Sequence, residues 1–121
     1  MAEHVEFGKR GEQEAQRFLR DQGYQILQLN WRYKHWEVDI IAKDGNVLAF
    51  VEVKTRRSAA YGEPFEFVDR KKQQNLFKAA SVFLQRIKHQ GDIRFDIVSV
   101  LIEAEQTEVS LLKDAFWGSY S

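Results

Sequence analysis

The chain has 121 residues, sets 18 Lys and Arg against 18 Asp and Glu, and carries a formal net charge of zero. Hydrophobic residues make up 44% and charged residues 30%, with a single proline; this excludes disorder and collagen-like repeats and suits one compact domain over residues 1–121. No run approaches the ~20 apolar residues needed to cross a membrane, the N-terminus lacks a signal-peptide layout, and the absence of cysteine removes disulfides, Cys-based zinc sites and thiol nucleophiles. A cytoplasmic protein with no membrane partner is expected. Zero net charge also argues against a simple polybasic coat for nucleic acid.

Residues 8–22 predict an amphipathic helix, with Phe7, Gly11, Ala15, Phe18 and Leu19 on its apolar stripe and Gly23 as its stop. Residues 24–31, 36–43 and 47–55 predict strands, the last two joined by a hairpin turn at Asp44-Gly45-Asn46. Residues 56–67, with Ser58, Gly62 and Pro64, predict a loop. Asp69 is placed to cap a helix running to about Lys88, burying Leu76, Ala80, Phe83, Leu84 and Ile87. Strands over residues 94–102 and about 108–112 close the chain. The order α-β-β-β-α-β-β indicates an α/β fold with a mixed sheet flanked by helices.

The central hairpin carries the chemistry. Alternation puts Glu37, Asp39 and Ile41 on one face of their strand, and Leu48, Phe50, Glu52 and Lys54 on one face of the next. That face is apolar near the turn and ionisable at its far end, whereas a solvated face would be polar throughout. A loop of Asp44-Gly45 alone sets Glu37 opposite Glu52; a four-residue loop sets Asp39 there. Both registers bring two carboxylates together, which is unfavourable without a counter-charge. Two readings follow: salt-bridged surface residues, or carboxylates gathered around a divalent cation, for which hard oxygen donors suit Mg²⁺ or Mn²⁺. Lys54 would reach the same place and could hold or help deprotonate an attacking water.

Gly11-Glu12, Glu37-Val38-Asp39-Ile40-Ile41, the Phe50 to Arg56 run FVEVKTR and Arg94-Phe95-Asp96 resemble the YraN family of small bacterial predicted nucleases, from about Gly8 to Val100. The resemblance implies a restriction-endonuclease-like, PD-(D/E)XK fold with an αβββαβ core, and archaeal Holliday-junction resolvases are similar at a greater distance. By position it implies Asp39 and Glu52 as metal ligands and Lys54 as the water-positioning group. Glu12 would be a further ligand through water or an orienting acid. Helical spacing alone does not separate Glu12 from Glu14; the resemblance selects Glu12. The family commonly has glycine where this chain has Trp36, a ring expected to shape the pocket mouth or restrict access.

Other candidates are weaker. His4, His35 and His89 are dispersed, no Gly-rich phosphate loop occurs, and Ser58, Ser81 and Ser99 lack a nucleophile-elbow context. Residues 54–94 hold ten Lys and Arg against four acids, so the neutral total conceals a basic segment between two acidic ones. Lys71 and Lys78, on the polar side of the second helix, and Arg56 and Arg57, beside Lys54, are candidate phosphate contacts, though a solvated helix face reads the same way. Arg94 and Asp96 share a strand face and can simply pair. Trp31, Tyr33 and Trp36 suit either base stacking or edge packing. The expected protein is a Mg²⁺- or Mn²⁺-dependent endonuclease acting on DNA, with a non-catalytic binding module of the same fold as the alternative. Symmetrical cutting of two strands would favour a homodimer, although no residue marks an interface.

Overall fold

A computed structural model describes residues 2–57 and 68–116, with side chains from residue 5 onward. The predicted loop around Ser58, Gly62 and Pro64 lies outside them. The elements are α1 (Ala2–Asp21), β1 (Gln25–Tyr33), β2 (Trp36–Asp44), β3 (Val47–Arg56), α2 (Arg70–Ile87), β4 (Ile93–Ile102) and β5 (Thr107–Leu112). They match the expected order, and α1 begins six residues earlier than its apolar stripe suggested. No helix among the described residues is long and apolar enough to cross a membrane.

The strands form one mixed sheet in the order β1-β2-β3-β4-β5, parallel only between β3 and β4. A parallel pair needs a crossover, and α2 lies in that connection. Helix and sheet periodicities divide the apolar residues into two cores. Ala15 and Leu19 of α1 pack with Ile40, Ala42, Val51 and Val100. On the other side, Leu76, Phe77, Ala80 and Phe83 of α2 pack with Ile41, Phe50, Phe95 and Ile97. The fold is α/β with helices flanking a mixed sheet, consistent with a restriction-endonuclease-like αβββαβ core. The buried face of α2 takes in Phe77 and Ala79, whereas Ile87, expected inside, is 45% exposed at the helix end.

Three local devices position the hairpin. Asp69 caps α2 by accepting the Lys72 backbone N–H at 2.8 Å. Gly11 allows α1 to lie directly on β3, because a Cβ there would overlap the Thr55 side chain. At the turn end of the hairpin, Arg94 donates to both oxygens of fully buried Asp96 (2.8 and 2.9 Å), to Asp44 (2.8 Å) and to Tyr24 (2.7 Å). The Asp114 backbone N–H and the Tyr24 hydroxyl also donate to Asp96. Arg94 and Asp96 are thus a structural clamp tied to the turn through Asp44; Asp96 stands level with Val51 in the β3–β4 ladder, one residue from Glu52 but on the other face of the sheet.

Alternation fails at one point in β2. Val38 and Trp36 pack into the α2-side core with Ile41, while Ile40 belongs to the α1-side core; strict alternation would place Val38 with Ile40. The β1–β2 ladder pairs Leu29 with Ile40 and Trp31 with Val38, and between them Asn30 adopts φ +49 opposite Asp39. Asparagine is among the few residues that tolerate this left-handed region. The sequence expectation that Glu37, Asp39 and Ile41 share one face therefore fails; Glu37 turns to the α1 side.

Two stability outcomes follow. In an open helix Gly→Ala gains up to about 1 kcal/mol, but Gly11→Ala should cost about 1–3 kcal/mol through overpacking; a rise in the urea midpoint would contradict the α1–β3 contact. Arg94→Met leaves the Asp96 charge buried without its partner and should cost about 3–5 kcal/mol, read from the same unfolding curves.

Candidate active site

The β2–β3 ladder closes at Asp44↔Val47 around a two-residue turn, Gly45-Asn46, and runs to Ile40↔Val51. Carried one step further, this register sets Asp39 beside Glu52. That is the alignment expected for a longer loop, reached instead by pairing one residue closer to the turn. At this step a side chain replaces the ladder: Asp39 Oδ2 accepts the Val53 backbone N–H at 2.8 Å.

Glu52 is only 3% exposed. Its Oε1 lies 3.9 Å from Lys54 Nζ and 3.3 Å from Lys72 Nζ, while Oε2 is buried with no hydrogen-bond partner among the described residues. Glu12, Asp39, Glu52 and Lys54 line one open cleft of about 710 Å³ between α1 and the β1–β3 edge, with Glu37, Arg32 and Lys9. The structure thus brings together all four residues singled out from the sequence. Glu37 shares the cleft but is held by Arg32 at 2.7 Å across the β1–β2 ladder, so it does not face Glu52. Trp36 does not line the cleft; its ring packs towards α2, contrary to the expectation that it shapes the mouth.

Burial and crowding of negative charge set the protonation of these groups. Burial, and next the Asp39 charge, push Glu52 up to about 7, against the pull of Lys72 and Lys54. Burial raises Asp39 as well, opposed by the Val53 N–H and Lys72. Glu12 is raised by burial and then by Asp39 and Glu37. Burial disfavours the Lys72 ammonium, but Glu52 and Asp39 outweigh it and hold its pKa above the usual value.

Lys72 is the site residue that sequence reasoning missed. The sequence pattern points to Lys71 instead, which is exposed on the outer side of α2. The signal was present: Lys72 precedes Leu76, Ala79, Ala80 and Phe83 at helical spacing, so it continues the buried stripe onto the sheet. Lys9 and Arg10 join the site from α1, where no spacing in the sequence marks them. With Arg57, whose guanidinium lies 4.2 Å from the Phe7 ring centroid, they line a groove of about 860 Å³ that meets the cleft at Phe7 and Lys9. Arg56 is half-buried at the end of β3, and Lys78 reaches over the Trp36 ring at 5.3 Å.

These groups define a pH dependence. A carboxyl raised in the folded state keeps its proton there while the unfolded chain releases it, so stability is lost as pH rises from the ordinary 4.5 to about 7. In chelator, the unfolding midpoint of the wild type should fall between about pH 5 and about pH 8, and Glu52→Gln should reduce that fall. Identical pH profiles would show that Glu52 is not held as a strained acid.

Comparison with known proteins gives the same residues a family. The pattern of the uncharacterised protein family UPF0102 matches residues 11–100, which include Glu12, Asp39, Glu52, Lys54 and Lys72. A UPF0102 protein of Christiangramia forsetii is 44% identical over 117 residues, covering 97% of this chain and 98% of its own. One from Caldicellulosiruptor saccharolyticus is 46% identical over 114 residues (92% and 97%), and one from Bacteroides thetaiotaomicron 39% identical over 117 residues (97% of each). The chain therefore belongs to UPF0102, the YraN-like family that its hairpin and first-helix motifs resemble.

Proposed function

We propose that the protein is a divalent-metal-dependent endonuclease that hydrolyses DNA phosphodiester bonds. The observation that carries this reading is the Glu52 carboxylate: buried, crowded by Asp39, and left with one oxygen unsatisfied among the described residues at the wall of an open cleft. Leaving such an oxygen unmet costs about 1–3 kcal/mol, an expense that a structural carboxylate avoids, as Asp96 does with its several donors.

The donor set fits Mg²⁺ or Mn²⁺. No three carboxylate or imidazole side chains among the described residues form a ligand cluster by themselves, but Mg²⁺ is commonly held by one or two carboxylates with water completing its shell. Asp39 and Glu52 would supply those carboxylates, and Glu12 would act through water. The ion, when bound, would polarise the phosphoryl group and acidify a water. Lys54 would hold that water and meet negative charge on the phosphate, while Glu12 orients it or takes its proton. Hydrolysis forms one P–O bond to the water oxygen and breaks the ester P–O bond in line, the leaving oxygen taking up a proton. Lys9, Arg10 and Arg57 in the adjoining groove suit the flanking phosphates.

The Lys72–Glu52 pair favours a second reading, a DNA-binding module whose carboxylate is neutralised by its own lysine. The two separate in one assay. With duplex, single-stranded and branched DNA plus Mg²⁺ or Mn²⁺, the wild type should cut at least one substrate, and Asp39→Asn and Lys54→Ala should each slow cutting by about 10²–10⁴-fold. Binding without cutting on every substrate would favour the module. Cutting unaffected by both substitutions would remove catalysis from this cleft.

A further inference from the structure

The tip of the β1–β2 hairpin carries a surface that the cleft chemistry does not use. Trp31, Tyr33 and Trp36 are half-buried there. The Tyr33 and Trp36 rings lie 6.0 Å apart at 42°, and Trp31 meets Phe83 edge-on at 5.3 Å, which fixes the patch to the α2-side core. Cations stand over these rings. Lys78 Nζ is 5.3 Å from Trp36, the Arg86 guanidinium 5.2 Å from Tyr33 and 5.8 Å from Trp31, and Lys34 Nζ 5.5 Å from Tyr33.

The charge is one-sided. Helix α2, which supplies Lys78 and Arg86, contains no Asp or Glu in its 18 residues, and residues 31–36 of the hairpin contain none either. Exposed side chains of Lys34, Lys78 and Arg86 can swing from ring to ligand at little cost. Aromatic faces interleaved with mobile cations match unpaired nucleotides, whose bases offer π-faces and whose phosphates offer charge. A duplex presents the phosphates but hides the base faces, and an apolar protein segment would leave the cations unmet. Trp36 immediately precedes cleft-lining Glu37 and stands three residues, about 10 Å along an extended strand, from Asp39.

We propose that this hairpin–α2 patch binds a single-stranded stretch of DNA that leads into the cleft, so that the substrate carries an unpaired segment beside the scissile phosphate. That the strand belongs to a cleaved substrate rests on the nuclease reading; the binding itself does not, and the test separates them. Full-length protein is titrated in chelator, where no cutting occurs, with labelled single-stranded and duplex DNA of about ten nucleotides. Single strands should quench the tryptophan fluorescence and bind more tightly than duplex. Tyr33→Leu should weaken single-strand binding by about 5-fold to about 100-fold and change duplex binding little. Equal losses on both DNAs would reduce the patch to general charge, and wild-type protein that shows no single-strand quenching overturns the proposal without recourse to any variant. Set beside the separate cleavage assay with Mg²⁺ or Mn²⁺, single-strand quenching by a wild type that cuts no substrate keeps this proposal and removes the nuclease reading, while cutting by a wild type that shows no such quenching does the reverse.

Discussion

The hydrogen bond from the Val53 backbone N–H to the Asp39 carboxylate, 2.8 Å long, marks where an ordinary antiparallel ladder gives way to a site. On the turn side of it, β2 and β3 pair residue for residue from Asp44↔Val47 to Ile40↔Val51. Beyond it, a side chain takes the backbone donor, and Asp39 and Glu52 are drawn into one cleft with Glu12 from α1. The left-handed Asn30 opposite Asp39 and the change of facing between Val38 and Ile40 occur at the same step. One local irregularity thus exchanges regular sheet for converging carboxylates, and α1 can bring Glu12 close because Gly11 has no Cβ to meet Thr55.

The two ends of this hairpin treat their acids in opposite ways. At the turn end, Arg94 and Lys113 pair with Asp44 and hold its carboxyl below the usual range, and Arg94 with the Asp114 N–H also saturates Asp96, which stands level with Val51 on the sheet face away from Glu52. At the other end, Glu12, Asp39 and Glu52 are all raised, chiefly by burial; the Asp39 charge adds to the rise at Glu12 and Glu52, and the Glu37 charge to that at Asp39. Structural acids in this protein are neutralised by cations and donors. The cleft acids are left in excess, although Lys54 and Lys72 reach Glu52. Such an arrangement costs folding stability, and it is what a ligand with two positive charges would relieve.

The fold was largely legible because its signals are local. Period-2 and period-3.6 patterning, the Asp69 cap, Gly23 and the Gly45-Asn46 turn each mark an element within a few residues of its observed end. Glu12, Asp39, Glu52 and Lys54 were also legible, by strand spacing and by family resemblance. What stayed hidden depends on tertiary geometry. The register could not be chosen while the turn length was open, and the facing of Glu37 depended on Asn30, a residue in another strand. Lys72 is hidden because most helix lysines face outward, whereas its long stem continues an apolar stripe and delivers the charge to a buried acid. The cation–aromatic patch joins residues 31–36 to α2, a contact that no local pattern in either segment reports.

The central claim is that Asp39 and Glu52 form a strained anionic site completed by a divalent cation. Thermal unfolding of metal-free protein against added Mn²⁺ or Mg²⁺ tests it most directly, because it needs no knowledge of the nucleic-acid substrate. At a free ion concentration of about 100 times Kd, binding to the folded state adds about 2.7 kcal/mol. The wild-type unfolding temperature should therefore rise with ion concentration. Asp39→Asn and Glu52→Gln should each be more stable than wild type without the ion and should gain little from it. A wild-type curve that does not move with either ion, or variants that gain as much as wild type, would contradict the account.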